Sequence, residues 1–122
     1  MKNNEKENRG LMTHELKAKF FYHGTSKVYF DNQVAKYGRY QNNLPTCEGE
    51  DTGLFVGTMR KICENYSQDR SKGYSTIPIL LKIPAEPVRH RVHEHPEITD
   101  IVIDYLNLDE FKIIELKINL RR

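Results

Sequence analysis

The stretch "KFFYHGTSKVYF" from Lys19 to Phe30 constrains the fold more than any other segment of this chain. Its aromatic run needs burial, and it reads as a strand entered near Lys17 and running to Tyr22. The polar cluster His23-Gly24-Thr25-Ser26 follows directly. Turn residues end strands routinely. A histidine at the last buried-looking position, backed by a glycine and two hydroxyls, marks a candidate site instead. Beyond the cluster the spacing predicts a helix from Lys27 to Lys36 with Gly38 as its stop. Phe30, Val34 and Tyr37 then fall on one face.

The remaining segments continue the alternation. "RYQNNLPTCEGEDTG" is a loop by composition, with Asn-Asn, Pro, two Gly and three acids. "GLFVGT", an apolar run between glycines, reads as a short buried strand. "TMRKICENYSQDR" reads as a helix with Thr58 as N-cap and Met59, Ile62, Cys63 and Tyr66 as its core face. "STIPILLKIP" is strand-like, and Pro78 points to an edge position or a bulge, because proline cannot donate to a ladder. "EPVRHRVHEHPE" reads as a polar connection. "ITDIVIDYL" and "EFKIIELKINL" read as two more strands. Residues 1–16, rich in Asn, Glu and Lys, predict a flexible leader. Residues 17–122 form a single domain without internal repeats. The fold class is α+β, with an antiparallel-rich sheet core and two or three short helices.

Composition narrows the function classes. No apolar run approaches the roughly 20 residues that span a bilayer. The charges of "MKNNEKENRG" are followed by no apolar segment, so a cytoplasmic location is expected. A formal charge of +2 is too small for a dedicated nucleic-acid binder. The two cysteines, Cys47 in a loop and Cys63 on a helix face, fit reduced thiols. Cys63 reads as a small core residue. His90, His93 and His95, with Glu94 and Glu97, offer metal-ligand types. On an extended segment, however, His93 and His95 share a face while His90 lies opposite. No metal site is expected there, and the segment reads as a pH-sensing loop or a contact for an anionic substrate.

Three segments, in order, resemble motifs of the ADP-ribosyltransferase superfamily, the NAD-using fold shared by poly-ADP-ribose polymerases and rifamycin ADP-ribosyltransferases. "FYHGTS" resembles its first motif, a strand ending in His-Gly-Thr or His-Gly-Ser. "GLFVGTMRKICENYS" resembles the second, a Gly-flanked strand running into a helix that ends in "-A-x-Y". "HPEITDIVID" resembles the third, where a strand presents an acid, and "FKIIELKI" looks like the closing strand. The resemblance implies a split, antiparallel-rich sheet and NAD as co-substrate. It implies that His23 hydrogen-bonds a ribose hydroxyl and that the Gly24 backbone holds the nicotinamide carboxamide. Thr25 or Ser26 adds a hydroxyl contact, and Phe55, or alternatively Tyr66, stacks on the nicotinamide ring. Asp100 stabilises the oxocarbenium-like transition state, with Glu97 and Asp104 as fallback acids.

Phe55 stands where the family usually has tyrosine, so the stacking surface is kept and a hydroxyl is lost. Arg39, Arg60 and Arg70 are candidates for phosphate contacts. Arg60 is preferred, one turn into a helix that starts beside the site. Plainer roles stand beside these: a satisfied histidine at 23, a capping acid at 100, a core ring at 55 and a solvated helix face at 60. The expected activity is an NAD-dependent ADP-ribosyltransferase that passes ADP-ribose to a small molecule, protein or nucleic acid. An RNA 2′-phosphotransferase of the same fold and a non-catalytic module binding NAD or ADP-ribose are the alternatives.

Overall fold

A computed structural model describes residues 10–42, 53–72, 76–95 and 100–117. Strand β1 spans Phe20–Ser26. It starts later than the aromatic pattern predicts and carries the whole His-Gly-Thr-Ser cluster within it. The residues just before it, inside the stretch read as leader, form a short helix α1, Thr13–Lys17. The Glu15 carboxylate Oε1 caps α1 by accepting the Met12 N–H at 2.7 Å.

Helix α2 spans Lys27–Tyr37 and ends on Gly38, which adopts φ 74° and donates its N–H to the Val34 carbonyl. That left-handed conformation is the one glycine reaches without strain, so the stop is where the sequence places it. Ser26 begins the helix, its buried hydroxyl accepting the Tyr29 N–H at 3.2 Å. Ser26→Ala should therefore destabilise the fold by about 1 kcal/mol. A chemical-denaturation midpoint unchanged from wild type would show that the hydroxyl contributes nothing as a cap.

The other strands are β2 (Leu54–Phe55), β3 (Pro78–Pro84), β4 (Val92–Glu94), β5 (Ile101–Ile103) and β6 (Lys112–Glu115). They form two antiparallel three-stranded sheets, ordered β1-β3-β6 and β2-β5-β4. Two findings correct the sequence reading. β3 is central, not an edge. Pro78 is accommodated because it is the first residue of the strand, where its carbonyl accepts the Leu116 N–H and no donor is missed. And β4 comes from the segment read as a polar connection. A one-turn helix α4 (Ala85–Val88) runs into that segment and a 3₁₀ turn at Arg89–Arg91 follows, so the described residues hold four α-helices where the sequence predicts two or three.

Side-chain alternation sorts β1 and β3 into two faces. Phe21, Ile79, Leu81 and Ile83 face the main core, together with Leu54, Val92, Ile101 and Ile103 of the second sheet and Phe30, Tyr40 and Leu106. Gly24 and its neighbour across the ladder, Leu80, lie on the opposite face, against helix α3 (Arg60–Ser71). This helix lies so close to β1 that small side chains, Cys63, Ser67 and Ser71, are its buried residues. The Ser67 hydroxyl donates to the Thr25 carbonyl at 2.8 Å.

Two expectations for α3 fail, the second for that reason. Met59, not Thr58, occupies the N-cap position. Met59, Ile62 and Tyr66 are not core: they are 62%, 49% and 53% exposed. Among the described residues, no helix is long and apolar enough to cross a membrane.

Candidate active site

Among the described residues, one backbone rung beside β1 joins the segment after β2 to the first sheet, where Tyr22 and Gly57 exchange hydrogen bonds of 2.7 and 2.9 Å. One antiparallel step further on, the Phe55 carbonyl would face Gly24. Instead it meets the side chain of His23, whose Nδ1 lies 2.6 Å away. Here the sheets part, and the gap between β1, the segment from Phe55 to Met59 and helix α3 opens as a cavity of about 350 Å³.

His23 is held on both sides. A carbonyl can only accept, so Nδ1 carries the proton and donates to Phe55. Nε2 then accepts from the buried Tyr40 hydroxyl at 2.9 Å. Burial pulls the His23 pKa down to about 4; the bond to Phe55 opposes the shift and the positive charge of Arg70 adds to it. The imidazole is neutral at pH 7. Burial likewise pushes the Tyr40 phenol well above its ordinary range. It pushes the Cys63 thiol up to about 11, which rules out a resident thiolate nucleophile at neutral pH.

Of the residues nominated from sequence, His23, Gly24, Phe55, Tyr66, Arg70 and Asp100 line this one cavity. They come from β1, β2, α3 and the residue preceding β5. The His95 N–H donates to the Asp100 carbonyl at 2.7 Å, and Asp100 lies exposed at the cavity rim. The remaining nominees lie elsewhere. Ser26 is occupied as the α2 cap. Thr25 is buried, its hydroxyl near the Tyr40 phenol but outside hydrogen-bonding geometry. Arg60 pairs with Glu64 at 2.9 Å on the outer face of α3. Asp104 is exposed and does not line the cavity, whereas Glu97 and Cys47 lie outside the described residues.

Arg70, three turns along α3 from its start, is the cation the cavity contains. Arg39 instead stacks on Tyr105 at 3.9 Å. Gly24 has a reason to be glycine that needs no ligand: a Cβ there would collide with the Cys63 carbonyl oxygen and stand 2.8 Å from the Ser67 nitrogen.

Sequence reading missed Tyr40, which lies at the start of a polar, loop-like stretch yet is 1% exposed. It also missed His14 and Glu15 of α1, both of which line the cavity. No signal in the Asn-Gly-Pro-rich composition around Tyr40 marks it. Its burial follows from the bridge it forms with Leu106. Among the described residues, no group of three or more His, Cys, Asp or Glu stands together to hold a metal ion. A second concavity, about 560 Å³ and flanked by Phe20, Lys82 and Phe111, contains none of the nominated residues.

The cavity lining thus combines apolar side chains (Phe55, Ile62, Tyr66), a cation (Arg70), carboxylates (Glu15, Asp100) and a neutral imidazole (His23). The chain matches no family model, no curated protein and no solved structure.

Proposed function

We propose that the cavity binds NAD and that the protein is an NAD-dependent ADP-ribosyltransferase. One observation carries this reading. Residues nominated from three separate segments for their resemblance to one family's motifs meet at a single cavity, at the place where the two sheets part.

The residues present suit the ligand. The exposed rings of Phe55 and Tyr66 offer stacking surface to a planar heterocycle. Arg70 offers a guanidinium to a pyrophosphate. Asp100 offers the cavity a carboxylate, which would favour the positive charge that develops on the ribose as nicotinamide leaves. His23 enters differently from the expectation. With both ring nitrogens engaged, it holds β1 to Phe55 and Tyr40 and shapes the cavity wall; it has no nitrogen left for a ribose hydroxyl in this arrangement.

That occupied imidazole, together with phenylalanine at position 55, favours one second reading: a module that binds NAD or ADP-ribose without cleaving it. The two readings part in one experiment. Purified protein incubated with NAD should release nicotinamide, and Asp100→Asn should lower the rate by about 10²-fold while keeping the thermal shift caused by ADP-ribose. A thermal shift without nicotinamide establishes the binding module. Neither signal removes both readings.

A further inference from the structure

The cavity holds a second carboxylate on an element that the fold takes trouble to anchor. Helix α1 has five residues, too few to persist by itself. It is tied down by Arg89, whose guanidinium donates to the backbone carbonyls of Glu15 and Ala18, each at 2.8 Å. Leu11 and Ala18, on either side of it, pack against the main core. What this anchoring delivers to the cavity is the pair His14 and Glu15.

The Glu15 side chain is 15% exposed, and Arg89 reaches its carbonyl but not its carboxylate. One carboxylate oxygen is fixed by the Met12 N–H at 2.7 Å. The other lies 3.7 Å from the imidazole Nε2 of His14. Among the described residues no lysine or arginine pairs with this carboxylate. It is thus a rotationally fixed base at the cavity, contributed by a different element from Asp100.

Resting on the reading above, we propose that Glu15 is the general base for the acceptor, and that Asp100 serves the ribose. A nucleophile O–H or N–H gives its proton to the free Glu15 oxygen as the nucleophile bonds to ribose C1′. The bond from C1′ to the nicotinamide nitrogen breaks, and its electron pair leaves with neutral nicotinamide. Two carboxylates with separate duties explain why the cavity holds both. The acceptor class that follows is a neutral hydroxyl or amine, water included, that must lose a proton to react.

Glu15→Gln tests this cleanly, because the amide oxygen still accepts the Met12 N–H and the cap is kept. Nicotinamide release should fall by about 10²-fold or more. The thermal shift with ADP-ribose, and the melting temperature without it, should stay at wild-type values. Sodium azide, an anionic nucleophile with no proton to give up, should restore release in Glu15→Gln and leave Asp100→Asn slow. Wild-type release by Glu15→Gln overturns this assignment alone. So does a loss of release that azide fails to restore, or one that comes with a lost ADP-ribose shift, since either makes Glu15 a structural residue. A wild type that releases no nicotinamide with or without azide overturns the enzymatic reading and this assignment together.

Discussion

Gly24→Ala should lower the melting temperature by on the order of 10 °C. The added methyl would meet the Cys63 carbonyl oxygen, and the Ser67 nitrogen at 2.8 Å. Both are backbone atoms in the middle of α3, so no side chain can swing aside to make room. Either the helix lifts as a body from β1 or the strand bends away from it. Overpacking of this kind costs typically 1–3 kcal/mol, and rigid backbone on both sides sets this case at or above the upper end. In a domain of this size each kcal/mol is worth roughly 4 °C.

The displaced helix also carries Ile62, Tyr66 and Arg70, so on the proposed function the variant should show no thermal shift with ADP-ribose. Gly57→Ala is the control. Its methyl would stand 3.3 Å from the Cys63 sulfur, a side-chain atom able to give by a few tenths of an ångström. Melting of Gly57→Ala close to wild type, with a large loss in Gly24→Ala, places the constraint at the strand–helix contact. A Gly24→Ala protein melting within two or three degrees of wild type would show that α3 is free to move off β1, and the rigidity argued for this wall would be wrong.

The same contact explains what was legible in the sequence. Helix α2 is readable at both ends because its signals are local: helical spacing that starts at Lys27 and a glycine that reaches φ 74°, whereas the capping role of Ser26 went unread. Its last residue differs from the predicted one by a single position. The His-Gly-Thr-Ser cluster is readable as unusual because polar residues cannot continue a buried aromatic run without partners. What those partners are is not local. Tyr40 and the Phe55 carbonyl lie 17 and 32 positions away from His23.

Met59, Ile62 and Tyr66 show the limit from the other side. Helical spacing says that they share a face, and nothing in the spacing distinguishes a face turned to the core from one turned to a cavity. That was decided by Gly24, which draws α3 so close that small residues take the buried positions. β4 escaped notice because Val92-His93-Glu94 offers one apolar residue to a pattern that needs alternation over several. Its pairing is supplied by Ile101–Ile103 instead.

Acid should destabilise this protein by a specific route through His23, worth about 3 kcal/mol between pH 6.5 and 4. The imidazole is 8% exposed, donates to Phe55 from Nδ1 and accepts from Tyr40 at Nε2. A proton added at Nε2 would put a charge in a site that burial makes hostile to it, and the Tyr40 hydroxyl would have to turn its own hydrogen away to accept from it. Arg70 adds repulsion, and the folded pKa falls from 6.5 to about 4. The unfolded chain therefore binds more protons than the folded one between these two values. Stability is complete above pH 6.5, falls by about 1.4 kcal/mol for each pH step of one through this window, and levels off below it.

Glu110 also responds to acid: burial raises its pKa, but hydrogen bonds from Arg91 and Asn107 outweigh this and hold it low. The His23 contribution has to be isolated by comparison. In His23→Gln the amide can donate to Phe55 and accept from Tyr40 but takes up no proton. The difference in unfolding free energy between wild type and this variant, measured in denaturant at half-unit steps of pH, should therefore shift by about 3 kcal/mol against wild type as the pH falls from 7 to 4. Tyr40→Phe leaves the buried Nε2 without its partner, so it should lower stability at pH 7 by roughly 1–3 kcal/mol. Parallel pH profiles for wild type and His23→Gln would mean that the imidazole charges freely in the folded protein. The pinned, neutral His23 on which the geometry of the site rests would then be mistaken.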